Sequence, residues 1–304
     1  MDEKRQTGIG IACAFFGAIC WGFSGTCANY LFDTYNISAT WLVSYRLTIA
    51  GTLFLICALF GQREKLIGLL HDARMMGRCV FVALIGVLLV QVSYMLSIKY
   101  CGAGTALLLQ QTGLVLVMLV SCVKAARFPN VRELLCLVLA FGGVWFIATQ
   151  GNPGELSINP WGLFWGLVAA VALACHNLLP IPVMEKYGNV AMNAVTFWMA
   201  ALVLVPFERP WETHVEMGAD GWLAFAGVIL LGTFLAFFLY MQGVQKVGPV
   251  RASLIAVMEP ASAQVFCFVW MAIVPTEWDL VGCALILGMM VLISLPAKSE
   301  NSAR

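Results

Sequence analysis

Two charged side chains lie deep inside otherwise apolar stretches of this sequence. Glu259 interrupts the stretch 252–276, and Arg46 interrupts the stretch 34–62. A charge at the centre of a bilayer costs at least about 2.5–3.5 kcal/mol on insertion scales, so such residues usually have a function. A carboxylate can bind a cation or a proton, and a guanidinium can bind a carboxylate through two parallel hydrogen bonds. Both residues are therefore candidates for a substrate-binding site.

Glu259 is expected near the middle of its membrane span. It lies about nine residues from the inner end, which is roughly 14 Å at the helical rise. Pro260 follows it and leaves the carbonyl of Ala256 without its helical partner. A carboxylate beside a free carbonyl suits a substrate or a proton. The alternative is a protonated Glu259 that hydrogen-bonds a neighbouring backbone and only packs helices.

Arg46 is expected about seven residues, roughly 10 Å, below the outer end of its span. It suits the carboxylate of a substrate. Two other interpretations remain open, because the side chain can also extend to the outer headgroups or pair with an internal acid.

Three further residues of the apolar stretches are candidates for the same site. Trp21 suits an aromatic wall, Gln111 is expected near the midplane, and His176 suits gating or proton transfer. Each also has a structural interpretation. Membrane Trp is commonly an interfacial anchor, buried amides join helices, and a lone His is usually a satisfied packing residue.

Composition indicates that lipid surrounds these stretches. The chain is 61% hydrophobic and 11% charged, whereas soluble domains carry about 25% charged residues. The net charge of +1 and the lack of a basic tail indicate no nucleic-acid partner. Eight stretches of at least 18 residues have no charge, and the stretches around Arg46 and Glu259 have one each. Each is long enough to cross a bilayer core, so we predict ten spans.

The ten predicted spans cover about residues 8–31, 39–60, 78–98, 103–123, 131–149, 160–180, 190–207, 220–243, 250–272 and 278–296.

The loops between these spans predict the orientation. With the N-terminus inside, 14 of the 17 Lys and Arg residues fall in inner segments and two, Lys99 and Arg209, fall in outer segments. Positive charge accumulates on the cytoplasmic side of membrane proteins. We therefore predict a multi-pass plasma-membrane (cell inner membrane) protein with both termini cytoplasmic. The basic, amphipathic loop Gly61–Gly77 is expected to lie in the cytoplasmic interface.

The sequence also contains a weak internal repeat. Residues 94–102 (YMLSIKYCG) match 240–248 (YMQGVQKVG), and Gly10 matches Gly162 at an offset of 152. The chain then divides into 1–150 and 158–297, each with five spans. Because five is odd, the second half must run opposite to the first, which is typical of secondary transporters. Chance similarity between apolar helices is the alternative.

The chain resembles the EamA-like branch of the drug/metabolite transporter superfamily along essentially its whole length. The resemblance rests on Trp21-Gly22, Arg46, the segments 94–102 and 240–248, and Glu259-Pro260. It implies a ten-helix carrier of small organic molecules such as amino acids, metabolites or drugs, often exported. Within the two matched segments, Tyr94 and Tyr240 complete our set of candidate substrate-binding residues.

The sequence departs from the pattern of that family in its first half. Thr112-Gly113 stands where the second half has Glu259-Pro260. Glycine loosens a helix but keeps the backbone donor that proline lacks. Whether span four bends without a proline therefore stays open.

We predict a secondary transporter of small organic molecules that works by alternating access, and the family resemblance implies that it exports them. The sequence shows no metal-binding or nucleotide-binding motif, so no cofactor or metal is expected. A single embedded acid permits proton coupling without requiring it.

Two other classes of membrane protein are alternatives to a carrier. Gly22-Phe23-Ser24-Gly25 has the form of an intramembrane serine protease motif, with Ser24 as nucleophile and His176 as a conceivable base. Four residues show neither a positioned base nor oxyanion donors. A channel or a structural membrane protein is the other alternative, although two embedded charges and an inverted repeat favour a carrier.

Overall fold

The computed structural model describes residues 3–152, 154–247, 252 and 255–294, and these residues form helices without any strand. Helices satisfy their backbone hydrogen bonds internally, as an apolar bilayer requires. Nine helical segments in the described residues are long and apolar enough to cross a membrane, and they match predicted spans one to eight and span ten. The prediction of an all-α membrane protein is confirmed. Predicted span nine lies partly outside the described residues.

The spans are built from the following helices: span one, Glu3–Tyr35; two, Ala39–Gly61; three, Ala73–Phe81, Val82–Leu88 and Leu89–Cys101; four, Ala103–Gln111 and Gly113–Lys124; five, Val131–Thr149; six, Pro160–Leu178 and Ile181–Tyr187; seven, Asn189–Glu208; eight, Ala219–Ala226, Gly227–Leu235 and Ala236–Val247; nine, Met258–Met271; and ten, Glu277–Ser294.

Span three begins five residues earlier than predicted. The predicted interfacial loop forms a separate helix, Arg63–His71, and Asp72 then starts the next helix. The Asp72 side chain accepts a hydrogen bond from the backbone N–H of Met75 at 3.1 Å. This N-cap stabilises a helix that begins at Ala73.

Span four is interrupted without a proline. Its helix stops at Gln111, turns at Thr112 and restarts at Gly113. The Thr112 hydroxyl donates to the carbonyl of Leu109 at 2.6 Å, which supplies a local alternative to the helical ladder. Gly113 leaves no room for a side chain because the carbonyl of Ala170 lies against it. The interruption therefore follows from local hydrogen bonding and close packing against span six.

Spans three and eight each contain a π-helical segment, which the sequence did not predict. The segments are Val82–Leu88 and Gly227–Leu235. They begin 145 residues apart and end 147 apart, close to the offset of 146 between the matched segments 94–102 and 240–248. π-Helical turns are rare and often mark functional sites.

The spans pack in pairs that exchange between the halves. Span one lies along span eight, and span three lies along span six; span two packs against span seven, and span five against span ten. If each span is replaced by its counterpart in the other half (one by six, two by seven, three by eight and five by ten), the same four pairs result. The pairing and the π-helical segments support the division into 1–150 and 158–297, which stays a prediction.

Candidate substrate cavity

A cavity of about 960 Å³ lies between the predicted halves. This is at the upper end of the range for small-molecule sites, about 300–1,000 Å³. All seven residues singled out from the sequence line it: Trp21, Arg46, Tyr94, Gln111, His176, Tyr240 and Glu259. They come from seven different stretches of the chain. The structure shows that these residues share one cavity, and their role in substrate binding stays a prediction.

The cavity extends to one end of the helical bundle. Ser121, Glu133 and Ser294 line it at or near the ends of their helices. Towards the opposite end, the lining of spans two and three stops at Arg46 and Tyr94, each seven residues inside its helix. The open end is the one that the sequence predicts to be cytoplasmic.

Arg46 is buried, with 8% of its surface exposed. Its Nε donates to Thr233 Oγ1 at 2.8 Å. The Nη1 atom is buried and has no hydrogen-bond partner in the part of the chain that the structure describes. A buried donor without a partner is costly, so the guanidinium keeps hydrogen-bonding capacity for a further group.

Glu259 lies where spans one, four and nine meet. Its Oε2 accepts a long hydrogen bond of 3.5 Å from Gln111 Nε2. Gly22 packs directly against the Glu259 carbonyl, where a Cβ would approach to 2.6 Å. The same carbonyl accepts from the Ser262 hydroxyl at 2.9 Å. The contact with Gly22 and the hydrogen bond from Ser262 therefore fix the backbone of Glu259, whose side chain lines the cavity.

Ser24 belongs to a buried network and does not line the cavity. Its hydroxyl donates to the carbonyl of Val228 at 3.3 Å, and the Thr233 hydroxyl donates to the same carbonyl at 3.3 Å. Gly232 lies against the Ser24 side chain, with no space for a Cβ. The network joins span one to the π-helical segment of span eight. Because the Ser24 hydroxyl donates its hydrogen to a carbonyl, Ser24 is not arranged as a nucleophile beside a base.

His176 is attached to the other π-helical segment. Its Nδ1 lies 2.9 Å from the carbonyl of Gly86. A carbonyl can only accept, so Nδ1 carries the hydrogen, and Nε2 of the neutral ring is an acceptor. The ring lines the cavity, which makes it a candidate for contact with a cationic group.

Aromatic rings form a second part of the cavity wall. The Trp21 and Tyr240 ring centroids lie 5.0 Å apart. Phe54 packs against Phe197 and Phe237 at 5.5 and 5.2 Å. The three phenylalanines were not predicted as site residues, because isolated phenylalanines in apolar spans look alike in the sequence. They give the cavity an apolar aromatic surface in addition to its polar groups.

Comparison with known proteins identifies related sequences. The sequence model of the EamA-like transporter family matches residues 8–149 and again 160–295. An inner membrane transporter of Salmonella typhimurium named YicL is 29% identical over 298 residues, covering 98% of this chain and 99% of its own length.

Two further matches add to this. A probable terminal-alkyne amino-acid exporter of Streptantibioticus cattleyicolor is 25% identical over 195 residues, covering 62% of this chain and 64% of the exporter. A solved crystal structure, 17% identical, superposes with a TM-score of 0.63 over 93% of this chain and 95% of the other. The structural match shows a shared fold.

Proposed function

Because this chain belongs to the EamA-like transporter family, we propose that it exports a zwitterionic small organic molecule by alternating access. The proposed route crosses the cytoplasmic membrane through the cavity that Arg46 and Glu259 line. A substrate carboxylate binds Arg46, and a substrate ammonium group binds Glu259. The aromatic wall contacts the apolar part of the molecule.

One observation carries this proposal. Two side chains of opposite charge line the same cavity, yet neither forms an ion pair with an acidic or basic residue in the part of the chain described. Opposite charges in a medium of low dielectric attract strongly. A molecule that carries both a positive and a negative charge can pair with the two side chains at once.

The direction of transport rests on the position of the opening. The open end of the cavity is the one that the charge distribution predicts to be cytoplasmic, and a relative is named as an amino-acid exporter. A cavity loaded from the cytoplasm suits export.

Glu259 is also the group we propose for a coupling proton. The other acid on the described cavity wall, Glu133, is bound by both terminal nitrogens of Arg127 at 2.6 and 2.7 Å. An acid that is paired in this way is poorly suited to exchange a proton, whereas Glu259 has one weak amide contact.

The test uses purified protein in proteoliposomes with radiolabelled leucine, a zwitterion with an apolar side chain. Leucine counterflow should saturate, and excess unlabelled leucine should compete. The matched compounds 3-methylbutylamine and 4-methylpentanoate, which each lack one charge, should compete weakly. Non-saturating flux would indicate a channel, and equal competition by all three compounds would contradict a zwitterion site.

A further inference from the structure

Thr233 determines how Arg46 is held. The Thr233 hydroxyl donates its one hydrogen to the carbonyl of Val228 and accepts from Arg46 Nε. Thr233 is buried and lies in the π-helical segment Gly227–Leu235. The direction of each hydrogen bond is therefore fixed, because an arginine can only donate and a carbonyl can only accept.

This contact uses the Nε side of the guanidinium and leaves the terminal nitrogens. Without this anchor, the Arg46 guanidinium would be attracted to the Glu259 carboxylate, which lines the same cavity. The attraction is strong because an unpaired charge is costly in a low dielectric. Arg46 is instead tied to span eight, while Glu259 is contacted by Gln111 of span four. The two charges are thus held by separate spans.

We infer that Thr233 is a positioning residue for substrate selection, an inference that rests on the proposed function. It keeps Arg46 from collapsing onto Glu259 and presents the terminal nitrogens to the substrate carboxylate.

The experiment compares Thr233→Val, which has nearly the same shape without the hydroxyl, with Thr233→Ser, which keeps the hydroxyl. Thr233→Val should raise the leucine KM by roughly tenfold or more, as expected for loss of a hydrogen bond to a charged group. The inhibition constant of 3-methylbutylamine should rise as well, because a released Arg46 pairs with the Glu259 carboxylate that is proposed to bind the amine. Thr233→Ser should restore the leucine KM.

A second readout does not depend on leucine. In protein labelled with ¹⁵Nε-arginine, the Arg46 Nε–H signal, assigned with Arg46→Lys, should move in Thr233→Val and return in Thr233→Ser. If wild-type protein does not carry leucine but the signal moves, the proposed substrate is wrong and the positioning is supported. An unchanged signal together with an unchanged KM would overturn the role of Thr233.

A separate observation concerns the ends of the helix pairs. The hydroxyl of Tyr35 donates to Asp220 at 2.6 Å, joining the end of span one to the start of span eight. The hydroxyl of Tyr187 donates to Asp72 at 2.9 Å, joining the end of span six to the start of span three. We call these contacts the outer and inner tyrosine–aspartate clamps, after their predicted sides.

The two clamps occupy matching positions in the predicted halves. The tyrosines are 152 residues apart, the offset that relates Gly10 to Gly162, and the aspartates are 148 apart. In each clamp a second side chain also donates to the aspartate. Tyr30 donates to Asp220 at 2.7 Å, and the Lys186 ammonium lies 2.7 Å from Asp72.

Both clamps are formed in a structure whose cavity extends to one end of the bundle. A contact that gates access must be broken on the side where the cavity opens. The clamps therefore do not behave as gates. Each joins two spans that also pack along their length, at Gly232 against Ser24 and at Gly86 against His176.

The geometry points to two rigid units, spans one with eight and spans three with six, each fastened by its clamp. Access to the cavity changes by movement between the units, not by separation within either one. This inference rests on the proposed transport cycle but not on the identity of the substrate.

Two disulfides distinguish movement within a unit from movement between units. In Gly227→Cys, the new Cβ would lie 3.9 Å from the Cβ of native Cys27, within unit one and eight. In Gly25→Cys with Ala103→Cys, the Cβ atoms would lie 3.5 Å apart and join span one to span four, which packs on span six. Both distances suit a disulfide. Because a Cβ at position 25 would also lie 2.9 Å from the Tyr94 hydroxyl, Gly25→Cys alone is the control.

Oxidation of Gly227→Cys should leave leucine counterflow unchanged, and oxidation of the Gly25→Cys, Ala103→Cys protein should stop it until a reductant is added. If the Cys27–Gly227→Cys disulfide stopped transport and a reductant restored it, the unit of spans one and eight would not be rigid. Independently of leucine, Tyr35→Phe and Tyr187→Phe should each lower the melting temperature by several degrees. Unchanged melting temperatures for both would show that the clamps do not fasten the units.

Discussion

Glu259 is the acidic side chain on which the proposed substrate contact and the proposed proton both depend. Glu259→Gln keeps the shape and can still accept from Gln111, but it removes the charge. We expect leucine transport to be abolished or strongly slowed while membrane insertion and melting temperature stay near those of the wild type. Glu277→Gln, an exposed site outside the cavity lining, is the matched control. Normal transport by Glu259→Gln would leave this residue a packing role only.

At the residue scale, the sequence was most informative where a residue type was out of place. Glu259 and Arg46 stand out because charges are rare in apolar spans, and the structure places both on one cavity wall. Thr233 has no such signal, since hydroxyl residues are common in membrane helices and serve many roles. Its importance appears only once span two is known to lie against span eight.

The π-helical segments are the elements on which the site is built. Gly232 in the second segment lies against Ser24 with no room for a side chain. Gly232→Ala should therefore destabilise the protein by about 1–3 kcal/mol through overpacking, and adding Ser24→Gly should recover part of the loss. The control is Gly288→Ala, where a Cβ has open space and alanine favours the helix. Equal melting temperatures for the two alanine variants would contradict the close contact.

The inner clamp predicts a pH dependence. The Lys186 ammonium, the Met75 backbone N–H and the Tyr187 hydroxyl hold the pKa of Asp72 well below its usual range. A carboxyl with a depressed folded-state pKa stabilises the fold above its unfolded pKa of about 3.9 and loses this effect as the pH falls towards the folded value. The difference in melting temperature between wild type and Asp72→Asn should stay constant from about pH 8 to 5 and shrink below about pH 4. A difference that already shrinks near pH 6 would contradict this assignment.

Sequence reasoning located the helices better than their internal breaks. Apolar length predicted the spans, because a bilayer core fixes the number of residues needed. A π-helical turn needs one extra residue per turn and no special residue type, so nothing in Val82–Leu88 distinguishes it from an ordinary helix. The break at Thr112 is equally hidden in the sequence, since it depends on the carbonyl of Ala170 in another span.

At the scale of the whole molecule, the charge distribution predicts to which side of the membrane the cavity opens. If 14 of 17 basic residues mark the cytoplasmic side, the cavity opens to the cytoplasm. Cysteines introduced singly in 61–77 should react with an impermeant thiol reagent only in inside-out vesicles, and those in 208–220 only in intact cells. Reaction of both loops in intact cells would contradict the orientation and the proposed direction of export.

The central claim is that one molecule contacts Arg46 and Glu259 at the same time. Equilibrium binding of leucine, 3-methylbutylamine and 4-methylpentanoate to wild type, Glu259→Gln and Arg46→Lys tests it most directly. The account predicts that Glu259→Gln weakens the amine, that Arg46→Lys weakens the acid because lysine lacks the bidentate fork, and that both weaken leucine. If each variant weakened all three compounds equally, or neither weakened leucine, the two charges would not be the two ends of one binding site.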